Sequence, residues 1–203
     1  MNWGILFNHI QPKSFIDIGA HIGDFTQIVL SKNPECECLM IEANPNCEPY
    51  LKQTNQPYII TALSSVENKI PLFIENINPI GTGVSLYKEN TIFYEDGKYQ
   101  TIDVETKKLD NLDIFPNQMI DLIKIDTQGS EYDILIGGEK TIKRTKYVLL
   151  EVSLVEYNKG AHLIEDVVNK MREYYFKIED IIEYHYNNNQ IFQMDILFKN
   201  IYI

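Results

Sequence analysis

Four carboxylates offer the most chemistry in this chain, and each follows an apolar run: Asp17 after Phe15-Ile16, Glu42 after Leu39-Met40-Ile41, Asp126 after Ile123-Lys124-Ile125, and Glu151 after Val148-Leu149-Leu150. Short, β-branched apolar runs are parallel-strand material, and in an open α/β sheet the carboxyl ends of the strands form the ligand-binding edge. The glycines between the first two acids select the ligand. Phe15 to Phe25 (F-I-D-I-G-A-H-I-G-D-F) reads as a strand, a tight turn and the start of a helix. Gly19 permits the turn, while Gly23 lets the helix pack closely with its backbone N–H groups toward a ligand. A diphosphate loop would carry G-x-G-x-x-G and avoid negative charge; here the spacing is G-x-x-x-G, with Asp17 before it and Asp24 after it. Phosphates are disfavoured, and a cationic ligand with a ribose fits. Asp17 can attract an ammonium group, and Glu42 can accept hydrogen bonds from both ribose hydroxyls. That combination describes S-adenosylmethionine.

The elements that must hold these residues alternate. Strands are expected near 14–18, 38–42, 58–63, 120–125 and 147–152, with helices over 24–31, 44–54, 130–143 and 163–175. This order implies right-handed crossovers and a Rossmann-like, doubly wound α/β sheet. At the end, 177–186 and 190–199 are both strand-like and joined by Asn187-Asn188-Asn189, so the last strand should run antiparallel to its neighbour. Residues 66–118, between the third and fourth parallel strands, are too long for one crossover helix and carry strand-like patterns at 70–74 and 99–105. This β-rich insertion is expected to contribute to acceptor recognition; the plainer reading makes it an ornament that covers the sheet.

With 203 residues, 44% of them hydrophobic, the chain can bury one α/β core, read here as a single domain over 1–203. A net charge of -11, with only Arg144 and Arg172 supplying guanidinium groups, argues against nucleic acid and anionic membrane surfaces as partners. No run is long and apolar enough to span a bilayer, and the start lacks a basic leader and a cleavage site, so a cytoplasmic protein that begins with a short packing helix is expected. Cys36, Cys38 and Cys47 read as reduced structural thiols, and no metal site is expected.

Several blocks together resemble the FkbM-type S-adenosylmethionine-dependent methyltransferases: Phe15 to Phe25, Ile41 to Pro45, Ala62-Leu63-Ser64, Lys108-Leu109-Asp110, Asp121 to Glu131 (D-L-I-K-I-D-T-Q-G-S-E), Leu150 to Ser153 and Gln193 to Phe198. The resemblance implies a seven-stranded class I methyltransferase fold with the last strand antiparallel, and O-methylation of a small-molecule or carbohydrate acceptor. It implies that Asp17, Gly19, Ala20 and Gly23 hold the methionine part of the cofactor, Glu42 the ribose, and Ala62 and Leu63 the adenine edge. Asp126 would face the reacting centre. The family block usually reads D-V-E-G where this chain has Asp126-Thr127-Gln128-Gly129, so a carboxylate is missing at Gln128 and metal assistance is put in doubt. An alcohol acceptor needs a base, and Asp126, Glu151 and His162 stand as candidates. His21 lies in the glycine loop, whereas His9 and His185 read as surface or packing residues. Lys124 reads either as a buried partner for nearby acids or as a catalytic group. A non-catalytic cofactor-binding subunit stays open as an alternative function, and a nicotinamide-dependent oxidoreductase ranks below both.

Overall fold

The structure, a computed structural model, describes residues 3–116, 118–187 and 189–203. Strands β1 (Ser14–Ile18), β2 (Glu37–Glu42), β3 (Tyr58–Ile60), β7 (Ile120–Ile125), β8 (Thr145–Ser153), β9 (Phe176–Asn187) and β10 (Gln190–Asn200) form one sheet in the order β3-β2-β1-β7-β8-β10-β9. β10 is antiparallel to both neighbours, and the β3-β2, β2-β1, β1-β7 and β7-β8 pairs are parallel. The strand order reverses beside β1, where β7 joins from the other side. Ligands bind at such a switch point.

The sheet is covered on both faces, which explains why its inner strands are apolar without alternation. On one face, Phe15, Leu122, Leu149 and Leu197 pack beneath α1 (Trp3–His9) and α2 (Asp24–Lys32) through Leu6, Phe25 and Val29. On the other, Ile16, Ile123, Val148 and Ile196 meet α4 (Glu131–Gly137), α5 (Glu139–Lys143) and α6 (Ile164–Glu173) through Leu135, Ile142 and Met171. The expected packing helix at the start is present as α1, and Met1 and Asn2 lie outside the described residues.

Three expected elements are subdivided. The strand over 58–63 breaks at Thr61, whose N–H donates to the Glu42 carbonyl; Ala62–Leu63 (β4) then pairs with Thr106 and Lys107 of a second sheet. That sheet, β4-β6-β5, contains β5 (Lys69–Glu75) and β6 (Tyr99–Lys107) of the insertion, in antiparallel register. The helix over 44–54 is a 3-10 turn at Pro45–Cys47, capped by the Asn44 side chain, followed by α3 (Glu48–Gln53). The helix over 130–143 divides at Gly138, and α4 runs so close to β4 that a Cβ on Gly137 would collide with the Ser64 carbonyl. The hairpin forms as expected, with the central Asn188 of its turn outside the described residues.

Candidate active site

The carboxyl ends of β1, β2, β7 and β8 open on a cavity of about 390 Å³, roofed by the insertion and by the loop after β8. Gly19 sits at φ 75° at the tip of β1, so close to β7 that a Cβ would strike the Asp126 carbonyl oxygen. Only glycine satisfies both demands. Gly23, at φ 90°, brings α2 against Met40 and Leu51. Its N–H donates to the Ala20 carbonyl, while Gly19 and Ala20 donate to Ile41. The loop spends its donors on its own shape.

Glu42, at the end of β2, faces the cavity and accepts the backbone N–H groups of His21 and Asn44, each at 2.7 Å. Burial raises its carboxyl above the ordinary range and these two donors oppose the rise. A carboxylate has about four lone-pair sites, so both oxygens keep capacity for a diol. Ala62 and Leu63 line the same end. His21 does so too, with Nε2 bonded to the Ile80 carbonyl at 2.6 Å, and Asn44 reaches the Pro79 carbonyl at 2.8 Å. The insertion is therefore fastened directly over the glycine loop.

Asp17 is placed differently from the expectation. It is fully buried behind the loop and does not line the cavity; Oδ2 accepts from Thr26 Oγ1 at 2.8 Å, and Oδ1 lies 3.9 Å from Lys124 Nζ without a hydrogen bond. Burial raises its carboxyl despite that ammonium. Ala20 and Gly23 are likewise outside the cavity lining, whereas Gly19 is part of it.

At the other end of the cavity, the side chains of four strands form one polar chain. Lys124 Nζ lies 3.0 Å from Asp126 Oδ2, which is the buried-partner reading of this lysine. Burial works to raise Asp126, but the Lys124 charge and hydrogen bond bring it below the usual carboxylate range. Gln128, left-handed at φ 57°, donates its side-chain amide to Asp126 Oδ1 at 3.1 Å and to Glu151 Oε2 at 2.6 Å. An amide stands where a third acid would repel both neighbours. Glu151 Oε2 also accepts from Gln193 at 2.9 Å, and its carboxyl is raised well above the usual range by burial and by Asp126 and Asp195.

The chain ends at a histidine that the sequence reading set aside. His185 on β9 lines the cavity, with Nε2 2.8 Å from Asp195 Oδ2 and 3.8 Å from Glu151 Oε1. The hairpin register makes this possible, because His185 pairs with Gln193, while Glu183, Asp195 and Glu151 are cross-strand partners two residues along. A register shift at Phe192 lets consecutive residues Phe192 and Gln193 both line the cavity, as a bulge re-aims side chains. The alternation Glu183-x-His185 and Gln193-x-Asp195 was the available signal; it needed the hairpin register to become a cluster. Glu151, His185 and Asp195 each bring one possible ligand atom within 4.8 Å of the others, the residue types and spacing that could also hold a metal ion. His162, by contrast, lies outside the cavity lining, stacked on Tyr132 and bonded to Asp166 at the start of α6.

The comparisons with known proteins agree with this architecture. The family described as "Methyltransferase FkbM domain" matches residues 17–178. The chain is 24% identical over 158 residues to 2-O-methyltransferase NoeI of Sinorhizobium fredii, covering 71% of this chain and 65% of that protein. It is 25% identical over 157 residues to methyltransferase sdnD of Sordaria araneosa, covering 62% and 60%. The chain thus spans less than two thirds of the length of these curated relatives. Among solved structures, magnesium protoporphyrin IX methyltransferase from Synechocystis PCC 6803 with bound SAM shares the fold at TM-score 0.57 and 8% identity, covering 97% of this chain and 74% of that one. An S-adenosylmethionine-dependent methyltransferase from Clostridium acetobutylicum does so at TM-score 0.51 and 10% identity, covering 92% and 83%. With a family match that runs from Asp17 in β1 to Ile178 in β9, over the strand ends that build the cavity, the chain belongs to the FkbM-type methyltransferases.

Proposed function

We propose that this chain, acting as one domain over residues 1–203, binds S-adenosylmethionine and transfers its methyl group to a hydroxyl of a sugar or other small molecule. The observation that carries the reading is Glu42, a buried acid facing the cavity beside Gly19 at the switch point of the sheet. Its free lone pairs suit a ribose diol, and Ala62 and Leu63 offer an apolar wall for a base. Asp126 at the opposite end, drawn below the usual carboxylate range by Lys124, gives negative charge for a sulfonium and an ammonium, with Glu151 beside it. Asp17 acts at one remove, since its Oδ1, without a hydrogen bond but 3.9 Å from Lys124 Nζ, sets the field behind the loop together with that ammonium. When bound, the cofactor supplies an electrophilic methyl carbon. The chain has to hold an acceptor oxygen in line with it, keep water out beneath the insertion and accept a proton.

The named activity of NoeI, a 2-O-methyltransferase, favours oxygen as the acceptor atom. A net charge of -11 favours a small or neutral acceptor over a nucleic acid. No helix among the described residues is long and apolar enough to cross a membrane, and the three buried free thiols support a reducing, cytoplasmic setting.

Calorimetry with S-adenosylmethionine and S-adenosylhomocysteine tests the reading. Glu42→Ala removes a charged acceptor of the ribose hydroxyls and should weaken both ligands ten- to a hundredfold, or about 1.5–3 kcal/mol. Equal affinities for the variant and the parent protein would remove the ribose assignment.

A further inference from the structure

We propose that His185, oriented by Asp195, is the base that takes the proton of the acceptor hydroxyl. This deepens the methyltransferase reading and rests on it. The geometry separates His185 from the other proton acceptors in the cavity. Asp126 has one oxygen on Lys124 and the other on Gln128. Glu151 has Oε2 held by two side-chain amides and Oε1 3.8 Å from His185 itself, Glu42 accepts two backbone N–H groups, and Glu89 accepts from the Thr91 hydroxyl. His21 is committed through Nε2 to Ile80 at the opposite end, and Tyr157 is a phenol whose hydroxyl burial holds well above its ordinary value. His162 faces Asp166 outside the cavity.

His185 is set up in the manner of a catalytic dyad. Asp195 is 1% exposed and its Oδ2 lies 2.8 Å from Nε2; with Nε2–H donating to that carboxylate, Nδ1 is the nitrogen left to receive a proton. Asp195 comes from the neighbouring strand and is a positioning residue. Glu151 Oε1, 3.8 Å from the ring, is close enough to pair with an imidazolium. The acidic groups around the ring are Asp195 on β10, Glu151 on β8, Asp126 beyond β7 and Glu183 on β9 itself, and the Lys124 ammonium stands behind them, 3.0 Å from Asp126 and acting also on Asp195 and Glu151. The Asp195 hydrogen bond raises His185 above its ordinary value, with burial opposing and the charges of Asp195, Glu183 and Asp126 adding to the rise.

The step balances within these groups. The acceptor O–H bond breaks, its proton passes to Nδ1 of His185 and its electron pair forms the O–CH3 bond. The CH3–S bond breaks with its pair retained by sulfur, and the hydrogen on Nε2 stays on that nitrogen, donated to Asp195. The imidazolium then releases its proton to water.

The test uses the full chain with 15N-labelled histidine and needs no acceptor. S-adenosylmethionine and S-adenosylhomocysteine differ in charge by the sulfonium, so a base at the reacting centre must feel the exchange. In the homocysteine complex, neutral His185, identified by its loss in His185→Gln, should show a bare Nδ1 and titrate above about 6.5. In the methionine complex its midpoint should fall by about half a pH unit or more, as a cation is brought within several ångströms. Asp195→Asn should lower the midpoint in the homocysteine complex by about one unit. An identical midpoint in the two complexes, or a hydrogen on Nδ1, overturns the proposal and leaves cofactor binding standing. Failure of both ligands to bind removes the methyltransferase reading itself and the proposal with it. The two-ligand comparison is made on the unmodified chain, so it decides the matter even if Asp195→Asn does not fold.

Discussion

A single amide holds together two acids that would otherwise repel. Gln128 Nε2 donates to both Asp126 and Glu151, and the left-handed backbone at φ 57° aims it between them. Gln128→Glu keeps the size but replaces a shared donor with a third carboxyl. At neutral pH this should cost about 1.5–3 kcal/mol, the range for losing hydrogen bonds to charged groups. The sign with pH follows from linkage. The new carboxyl would have a folded-state pKa above its unfolded value of about 4.3, so the loss is small in acid and grows as pH rises through the folded pKa. Thermal melts of both proteins at pH 4 and pH 8 check this. A constant difference would mean that the amide is not bridging two negative charges. Much of this network was legible as a list of strand-end acids, since Asp126 and Glu151 each close an apolar run. Its completion by His185 and Asp195 was not, because a cross-strand pair depends on a register that residue types alone leave open.

At the scale of elements, the turn between β7 and α4 is held by the helix it precedes. Glu131, in the first turn of α4, accepts the N–H groups of Thr127 and Gly129 and the Thr127 hydroxyl. These contacts carry the chain through residues 126–130, and the positive φ values of Gln128 and Gly129 follow from the tight path. Burial pushes the Glu131 carboxyl up to about 7 in spite of the backbone donors. Because the folded value lies above the unfolded one, its contribution is present in acid and is lost as pH rises from 4.5 toward 7. The Glu131→Gln variant should lose up to about 3 kcal/mol of pH dependence across that window. It should also melt lower at pH 5, because an amide has one acceptor oxygen for three donors. Denaturant titrations at pH 5 and pH 7.5 measure both effects; an unchanged slope would mean that Glu131 is ionised throughout. The strand–helix order around this turn could be read from hydrophobic runs and glycines. The break at Gly138 could not, since it arises from the approach of α4 to Ser64 and of Leu109 to Gly138. Likewise the departure of Ala62–Leu63 to a second sheet reflects a partner, β6, more than forty residues away.

Across the whole molecule, the sheet concentrates acid at one edge. Burial raises the carboxyls of Asp17, Glu42, Glu131, Glu151 and Asp195, and Asp126 alone among the strand-end acids is drawn below the usual range by Lys124. The ligand-free fold should therefore bind more protons than the unfolded chain in mildly acidic solution. Its stability is greatest there and declines as pH rises through these raised values. A cation in the cavity offsets the decline, and the charge of the ligand decides by how much. S-adenosylmethionine carries one more positive charge than S-adenosylhomocysteine, in a region where each loss of a proton deepens the negative potential. Both ligands should raise Tm at every pH by mass action. The excess of the methionine form over the homocysteine form should be small near pH 5 and should widen toward pH 8. Scanning calorimetry at matched saturation gives the comparison directly. A difference that stays flat with pH would place the sulfonium away from the acidic edge, and a difference of the opposite slope would show that Lys124, rather than the carboxylates, dominates the field at the cavity.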